Sequence, residues 1–295
     1  MAEGHKAEQG GGTYGSAEAA EGWRRTAAAR AQFLAPITER MLDLAGIALG
    51  HRVLDVAAGT GEQTLLAARR VGANGSILAT DISARMLAGA AEAARQAGLR
   101  NVETRVLDAR SLDLEPASFD GAISRVALML IPERNKALAG IHRALKPGKK
   151  FAALVLATAA ECPFIALPLT VAGRRAGTPL APFEDPGMFA LGDPAELRAA
   201  FEQAGFLDVA VEAVSVVRRY ASLADGMQTC RDILPEVSQL MAHLSKAERD
   251  AAWAEIEESM RQFEGTDGLL VPQTYLIGVG TADPGSAHGA TMRAT

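Results

Sequence analysis

The stretch Val53-Leu54-Asp55-Val56-Ala57-Ala58-Gly59-Thr60-Gly61-Glu62-Gln63-Thr64 decides how the rest of the chain is read. Val53, Leu54 and Val56 form a short apolar run of the kind found in strands buried on both faces. Ala57 to Gly61 are small and turn-forming. From Glu62 to Val71 the residues are helix formers, with apolar positions at Leu65, Leu66, Ala68 and Val71. The pattern is strand, tight turn, helix. Small residues let a ligand approach the backbone, and the helix start offers free N–H groups and a positive dipole end. Such a turn suits a ligand with anionic or electron-rich groups.

Working outward, strands and helices alternate: strand 52–56, helix 62–71, strand 76–80, helix 83–97, strands 102–107 and 119–124, helix 134–145, strand 150–157. This alternation predicts a parallel sheet with helices on both faces. Before it, residues 17–46 read as one or two helices carrying Trp23, Phe33, Leu34, Ile37, Met41 and Leu44. After residue 158 the pattern changes. Residues 160–193 are proline-rich with no clean period. A helix at 194–204, opened by Asp193 or Pro194, and a strand from 207 to 213, extending toward 218, follow. Residues 222–263 have helical spacing, and 269–280 form a last strand with Pro272 near its start or at a bulge.

Composition narrows the function classes. The chain has 295 residues, 48% of them hydrophobic, and a net charge of −5. That supports a sizeable core, and no block of Lys and Arg points to nucleic acid. Cys162 and Cys230 are the only cysteines; they make neither a disulfide framework nor a metal site, and no metal is expected. A reduced, cytoplasmic setting fits this cysteine usage best; no secretory leader is visible, and no membrane span is expected.

Three carboxylates accompany the glycine turn. Asp55 lies within the first strand, where it can brace the loop or meet a ligand ammonium group. Asp81 ends the second strand, 20 residues after Gly61, where it can accept both hydroxyls of a ribose or instead cap the next helix. Asp108 follows the third strand and precedes Ala109; it can accept from an adenine amino group or serve as a turn aspartate. Two ligands fit: a nicotinamide dinucleotide and S-adenosylmethionine. The dinucleotide pattern G-x-G-x-x-G wants glycine at position 64, which is Thr.

In order, VLDVAAGTG, ATDIS, LDA, SFDGAIS (118–124) and LKPG (145–148) make the chain resemble class I S-adenosylmethionine-dependent methyltransferases, in particular the ubiquinone/menaquinone C-methyltransferase-like small-molecule branch. The resemblance is strong over 20–158 and looser over 185–280. It implies a Rossmann-like, doubly wound, seven-stranded and mostly parallel sheet, its last strand antiparallel, with a helical lid or insertion. Residues 1–15 are Gly-rich and polar and read as a tail without order, as do 283–295, which leaves one domain over 16–282. Residues 16–50 would be N-terminal helices, and 160–193 and 221–265 substrate-side insertions. By position, Asp55, Ala57, Gly59, Thr60, Gly61 and Thr64 match the cofactor loop. Asp81 matches the ribose acid, with Ile82 and Met86 beside the adenine; Asp108 and Ala109 match the adenine edge. Arg125 matches a residue reaching the cofactor from the substrate side, and otherwise has Glu133 or a helix end as partner. Ala57 replaces a family glycine, which is tolerable at negative φ. Lys149 replaces another, at a turn away from the cofactor.

The reaction implied is in-line methyl transfer to carbon, oxygen or nitrogen of a small molecule, for which the protein supplies orientation and exclusion of water. Substrate-side candidates are Trp23, Arg125, Phe164, Phe183 and His243, each with core packing as the alternative. No catalytic base stands out; His142 lies on a helix turned away from the pocket. The competing readings are an NAD(P)-dependent oxidoreductase, a non-methylating S-adenosylmethionine binder and a macromolecular methyltransferase. The chain would act as a monomer or a homodimer.

Overall fold

The computed structural model describes residues 17–178 and 185–283, without the side chains of 17–20 and 23. The 1–15 tail and nearly all of the 283–295 tail therefore lie outside the described residues, as does Phe183. Five parallel strands form the centre: β1 (Arg52–Val56), β2 (Ser76–Asp81), β3 (Val102–Val106), β4 (Gly121–Arg125) and β5 (Lys150–Leu156). β4 is buried along its whole length, and β1 and β5 are buried after their first residue. Continuous burial explains the apolar run of β5 and the largely apolar β1 and β4, whose buried polar residues Asp55, Ser124 and Arg125 lie toward their C-terminal ends.

The sheet runs β3-β2-β1-β4-β5-β8-β6. The order reverses between β1 and β4. Right-handed crossovers therefore put α2 (Glu62–Val71) and α3 (Ala84–Gln96) on one face and α4 (Arg134–Ala144) on the other. The crevice at this reversal, over the C-terminal strand ends, is where open α/β sheets bind ligands. β8 (Gly268–Thr281) runs antiparallel between β5 and the edge strand β6 (Leu207–Tyr220). An eighth strand, β7 (Glu264–Gly265), is a two-residue hairpin arm against the start of β8; the sequence expectation of seven strands did not include it.

The β6–β8 ribbon is longer than the sheet that carries it. The last β5 pair is Leu156 with Tyr275, yet β6 and β8 stay paired as far as Tyr220 with Leu269. Pro272 sits in this overhang, paired only with Val217 of β6, where a missing N–H costs least. The overhang projects past the C-terminal edge of the parallel strands.

The helices above that edge come from three parts of the chain. Residues 17–46 yield one 28-residue helix, α1 (Ala17–Leu44), which carries Pro36 inside it. The proline-rich stretch contains a helix that its sequence did not show, α5 (Pro163–Arg175), with Pro163 in its first turn and Pro168 inside. Phe164, Ile165, Ala166, Leu169, Val171 and Ala172 are all buried; a helix buried nearly all round has no polar face to set a period. After α6 (Pro194–Gln203), which Asp193 caps, the expected helical run 222–263 breaks into α7 (Leu223–Ile233), α8 (Pro235–Leu240) and α9 (Lys246–Met260). Pro235 starts α8, and Ser245 with Glu248 makes a capping box on α9. Arg25 pairs with Asp232 across α1 and α7, and Arg174 and Arg175 both pair with Glu255 across α5 and α9.

Candidate active site

The chain leaves β1 through three residues at positive φ: Ala57 (+56°), Gly59 (+58°) and Gly61 (+87°). Ala57 thus contradicts the expectation of negative φ. An alanine occupies the left-handed conformation here, and its Cβ meets the steric cost that a glycine avoids. At Gly61 the reason for glycine is contact: an added Cβ would lie 2.8 Å from the Cβ of Ala90 on α3. The start of α2 and the flank of α3 can pack this closely only without a side chain there.

Asp55 lies beneath the loop, fully buried. Its oxygens accept from Gln63 Nε2 at 3.2 Å and from Thr64 Oγ1 at 2.5 Å. These bonds pin the first turn of α2 to β1, so Thr64 is a brace under the loop and its hydroxyl faces Asp55. Burial pushes the Asp55 carboxyl up to about 7, against the pull of Thr64, Gln63 and Arg125.

Asp81 reaches back to the loop. One oxygen accepts from the Gly59 N–H and the other from the Ser83 N–H, both at 2.9 Å. Ser83, and not Asp81, caps α3. Burial raises the Asp81 carboxyl above its ordinary range against the pull of the Ser83, Gly59 and Ile82 N–H groups, and a carboxylate's roughly four acceptor positions leave room for a ligand donor. Beside it Ile82 is 38% exposed, a large apolar side chain at the site's rim, while Met86 is buried. Asp108 caps the short helical turn Ala109–Ser111 and is held by the Arg110 guanidinium, which lowers its carboxyl. Ala57, Gly59, Thr60, Asp81, Asp108 and Ala109 form one half-buried edge over the ends of β1, β2 and β3.

Arg125, at the end of β4, does not pair with Glu133, which is bound by Lys136. It is buried and donates to Glu62 Oε2 at 2.9 Å and to Thr38 Oγ1 at 3.2 Å. Arg30 of α1 binds the other Glu62 oxygen and donates to Thr60 Oγ1 at 3.2 Å. Thr60 in turn donates to Glu62 at 2.8 Å. The result is a buried Arg30–Glu62–Arg125 triad that fastens α1 over the glycine loop. Burial lowers both guanidinium pKa values and Glu62 raises them, and arginine stays charged throughout. Sequence reading missed Glu62 and Arg30. A glutamate in a helix's first turn reads as a dipole partner, and Arg30 in an alanine-rich helix reads as its polar face.

The other candidates fall in different places. Phe164 is buried at the start of α5, stacked on Tyr220 at 5.2 Å. His243 is exposed at the rim of a cavity of about 470 Å³ between α5 and α8, lined also by Leu130, Leu169, Met188 and Leu240. The Trp23 side chain and Phe183 lie outside the described residues. His142 packs edge-on against Phe206 and accepts from the Asp283 N–H at 3.3 Å, away from the strand ends that form the site. Among the described residues no cluster of His, Cys, Asp and Glu is suited to a metal, and no helix is long and apolar enough to cross a membrane.

The strand order, with an antiparallel strand inserted before the edge strand, sets this sheet apart from the all-parallel dinucleotide fold. Together with the glycine loop and Asp81 it defines the class I S-adenosylmethionine-dependent methyltransferase fold. Residues 48–169 match the family described as a methyltransferase domain. The match takes in less than half of the chain, which has distant similarity to small-molecule methyltransferases. It is 38% identical over 114 residues to the ubiquinone/menaquinone biosynthesis C-methyltransferase UbiE of Methylococcus capsulatus, covering 38% of this chain and 46% of that one. It is 31% identical over 121 residues to the aklanonic acid methyltransferase DauC of Streptomyces sp. strain C5, covering 41% and 55%. The chain thus spans about half the length of these curated relatives. In fold it is similar to the YcgJ protein of Bacillus subtilis, with a TM-score of 0.55 at 19% identity over 83% of this chain and 97% of that one.

Proposed function

We propose that this chain transfers a methyl group from S-adenosylmethionine to a small-molecule acceptor. The observation that carries the reading is the Asp81–Gly59 contact: a strand-end carboxylate tied to the glycine loop, with room for a ligand donor on a half-buried edge. The edge fits the cofactor. Nothing lies within 4 Å of a Cβ placed on Gly59, so the loop backbone is open to a ligand. Asp81 would receive the ribose hydroxyls, Ile82 would lie against the adenine, and the loop from Ala57 to Gly61 would take the methionine end. S-adenosylmethionine, when bound, supplies a methyl group already activated by its sulfonium.

The protein's part is placement and exclusion of water. Asp55, Gln63 and Thr64 set the loop geometry from below. Arg30 and Arg125, locked on Glu62, hold α1 against the loop and bring positive charge to the acceptor side. The three segments α1, α5 and α7–α9 form the cover. Net charge and the lack of a basic block support a small organic acceptor over nucleic acid. The two free, buried cysteines fit a reducing compartment.

The test is cofactor binding by calorimetry, followed by methyl-labelled cofactor with an extract of the source cell. Asp81→Ala should weaken binding at least about tenfold, because it removes charge-assisted hydrogen bonds. Unchanged affinity in the folded variant would remove the ribose assignment. Label in the small-molecule fraction is the expected outcome. Label in protein or nucleic acid would move the acceptor to macromolecules, and binding without label would make the chain a non-methylating binder.

A further inference from the structure

Arg218, on the β6 overhang, is a buried cation whose partners are all neutral. It is 8% exposed. Its Nε donates to Gln273 Oε1 at 2.6 Å, one terminal nitrogen to the Tyr275 hydroxyl at 3.0 Å, and the other to the Tyr220 hydroxyl at 3.4 Å. The guanidinium carbon lies 4.5 Å from the ring centre of Phe33 and 5.0 Å from that of Phe164. Among the described residues no carboxylate pairs with it. Buried guanidinium groups ordinarily have an anionic partner, because an uncompensated charge away from water is costly. The tyrosines do not supply one: burial raises both hydroxyls, so they remain neutral phenols.

A second, independent observation lies in the same box. Gln273 is 1% exposed, and among the described residues its Nε2 has no hydrogen-bond partner. Its orientation is set by Arg218, since turning the amide over would point two donors at each other. A guanidinium has five N–H donors, and the three bonds above leave two unused. Two more come from the Gln273 amide. Among the described residues none of these four donors has an acceptor, and a flat anion with two oxygens is a group that can satisfy such donors.

The position of the box favours a ligand over a purely structural role. It stands on the ribbon that projects past the last β5 pair, at the same edge of the sheet as the glycine loop. Phe33, its half-buried wall, sits three residues from Arg30 on α1, and Arg30 touches Thr60 of the loop. Arg30 and Arg218 are close enough to repel each other, which leaves the space under α1 electropositive.

We infer that Arg218 and Gln273 hold a carboxylate on the methyl acceptor, so that the substrates are small organic acids. The inference rests on the methyltransferase reading and narrows it. Arg218 is here a specificity-determining residue. It would fix the acid group at one end of the acceptor while the reacting atom faces the cofactor edge.

The test uses the full chain, with benzoate and octanoate as probes and benzamide and octanamide as their neutral counterparts, titrated in the presence of S-adenosylhomocysteine. At least one carboxylate should bind the wild type at least about tenfold more tightly than its amide. Arg218→Met should abolish that preference, and Gln273→Met should weaken it while leaving Arg218 in place as a check on folding. S-adenosylhomocysteine affinity, measured on the same samples, should be unchanged by either variant. No carboxylate preference in the wild type, or a preference that survives both substitutions, overturns the inference. Weakened S-adenosylhomocysteine binding in Arg218→Met also overturns it, by giving Arg218 to the cofactor. Failure of the wild type to bind S-adenosylhomocysteine would instead defeat the methyltransferase reading, while the probes still report on the box.

Discussion

Ala57 and Glu62 show how single residues set this site. Ala57 sits at φ +56° with a Cβ that the left-handed conformation penalises. Ala57→Gly should therefore stabilise the protein by about 1 kcal/mol, less whatever the freer glycine loses in the unfolded chain; urea denaturation measures it, and a loss of stability would contradict the loop geometry. Glu62 is the only carboxylate between Arg30 and Arg125 in their hydrogen-bonded triad. Glu62→Gln removes the carboxylate that Arg30 and Arg125 share and should cost about 3–5 kcal/mol in the same measurement. A loss of under about 1 kcal/mol would show that water reaches the triad. The loop glycines and Asp55 were legible because their signal is local. The triad was not, because Glu62 stands 32 residues from Arg30 and 63 from Arg125.

Between elements, the contact of α1 with α7 is the most exacting. An added Cβ on Gly22 would lie 2.5 Å from the carbonyl oxygen of Asp232. Alanine is the better helix former by about 1 kcal/mol, but a clash with backbone of another helix outweighs that. Gly22→Ala should lift the first turns of α1 from α7 and open Arg24 and Arg25 to trypsin, so limited digestion should cut the variant there well before the wild type. Equal rates would mean that the two helices slide apart at no cost. The same scale explains what sequence periodicity did and did not reveal. α2, α3 and α4 each have one buried stripe and were readable. α5 is buried on nearly every side and was not. The long helical spacing of 222–263 was readable as helix, but its division at Pro235 and Ser245 emerges only from the caps.

For the whole molecule, Asp55 links stability to pH. Its carboxyl is held near 7 in the fold, against an ordinary 3.8. Between these values the unfolded chain has released the proton and the folded chain retains it. Stability from this group is therefore full below the lower value, falls as pH rises toward 7 and is level above. Asp55→Asn should remove that fall, so its stability relative to wild type should rise from ~pH 4 to ~pH 8 by the order of a few kcal/mol. Denaturation at both pH values checks this, and a constant difference would mean that Asp55 is ionised in the fold at both.

The sequence by itself determined the parallel half of the sheet, the glycine loop and the carboxylates at the strand ends. Each is written in neighbouring residues: continuous apolar runs, a turn of small side chains, an acid at a strand's last position. Only the tertiary structure decided which charges meet. Long-range packing brings α1 onto the loop, inserts β8 between β5 and β6, and carries Arg218 past the end of β5 on a ribbon longer than its sheet. Charge pairing acts across space and has no period along the chain, so Arg30, Glu62, Arg125 and Arg218 gain their roles only when the fold closes.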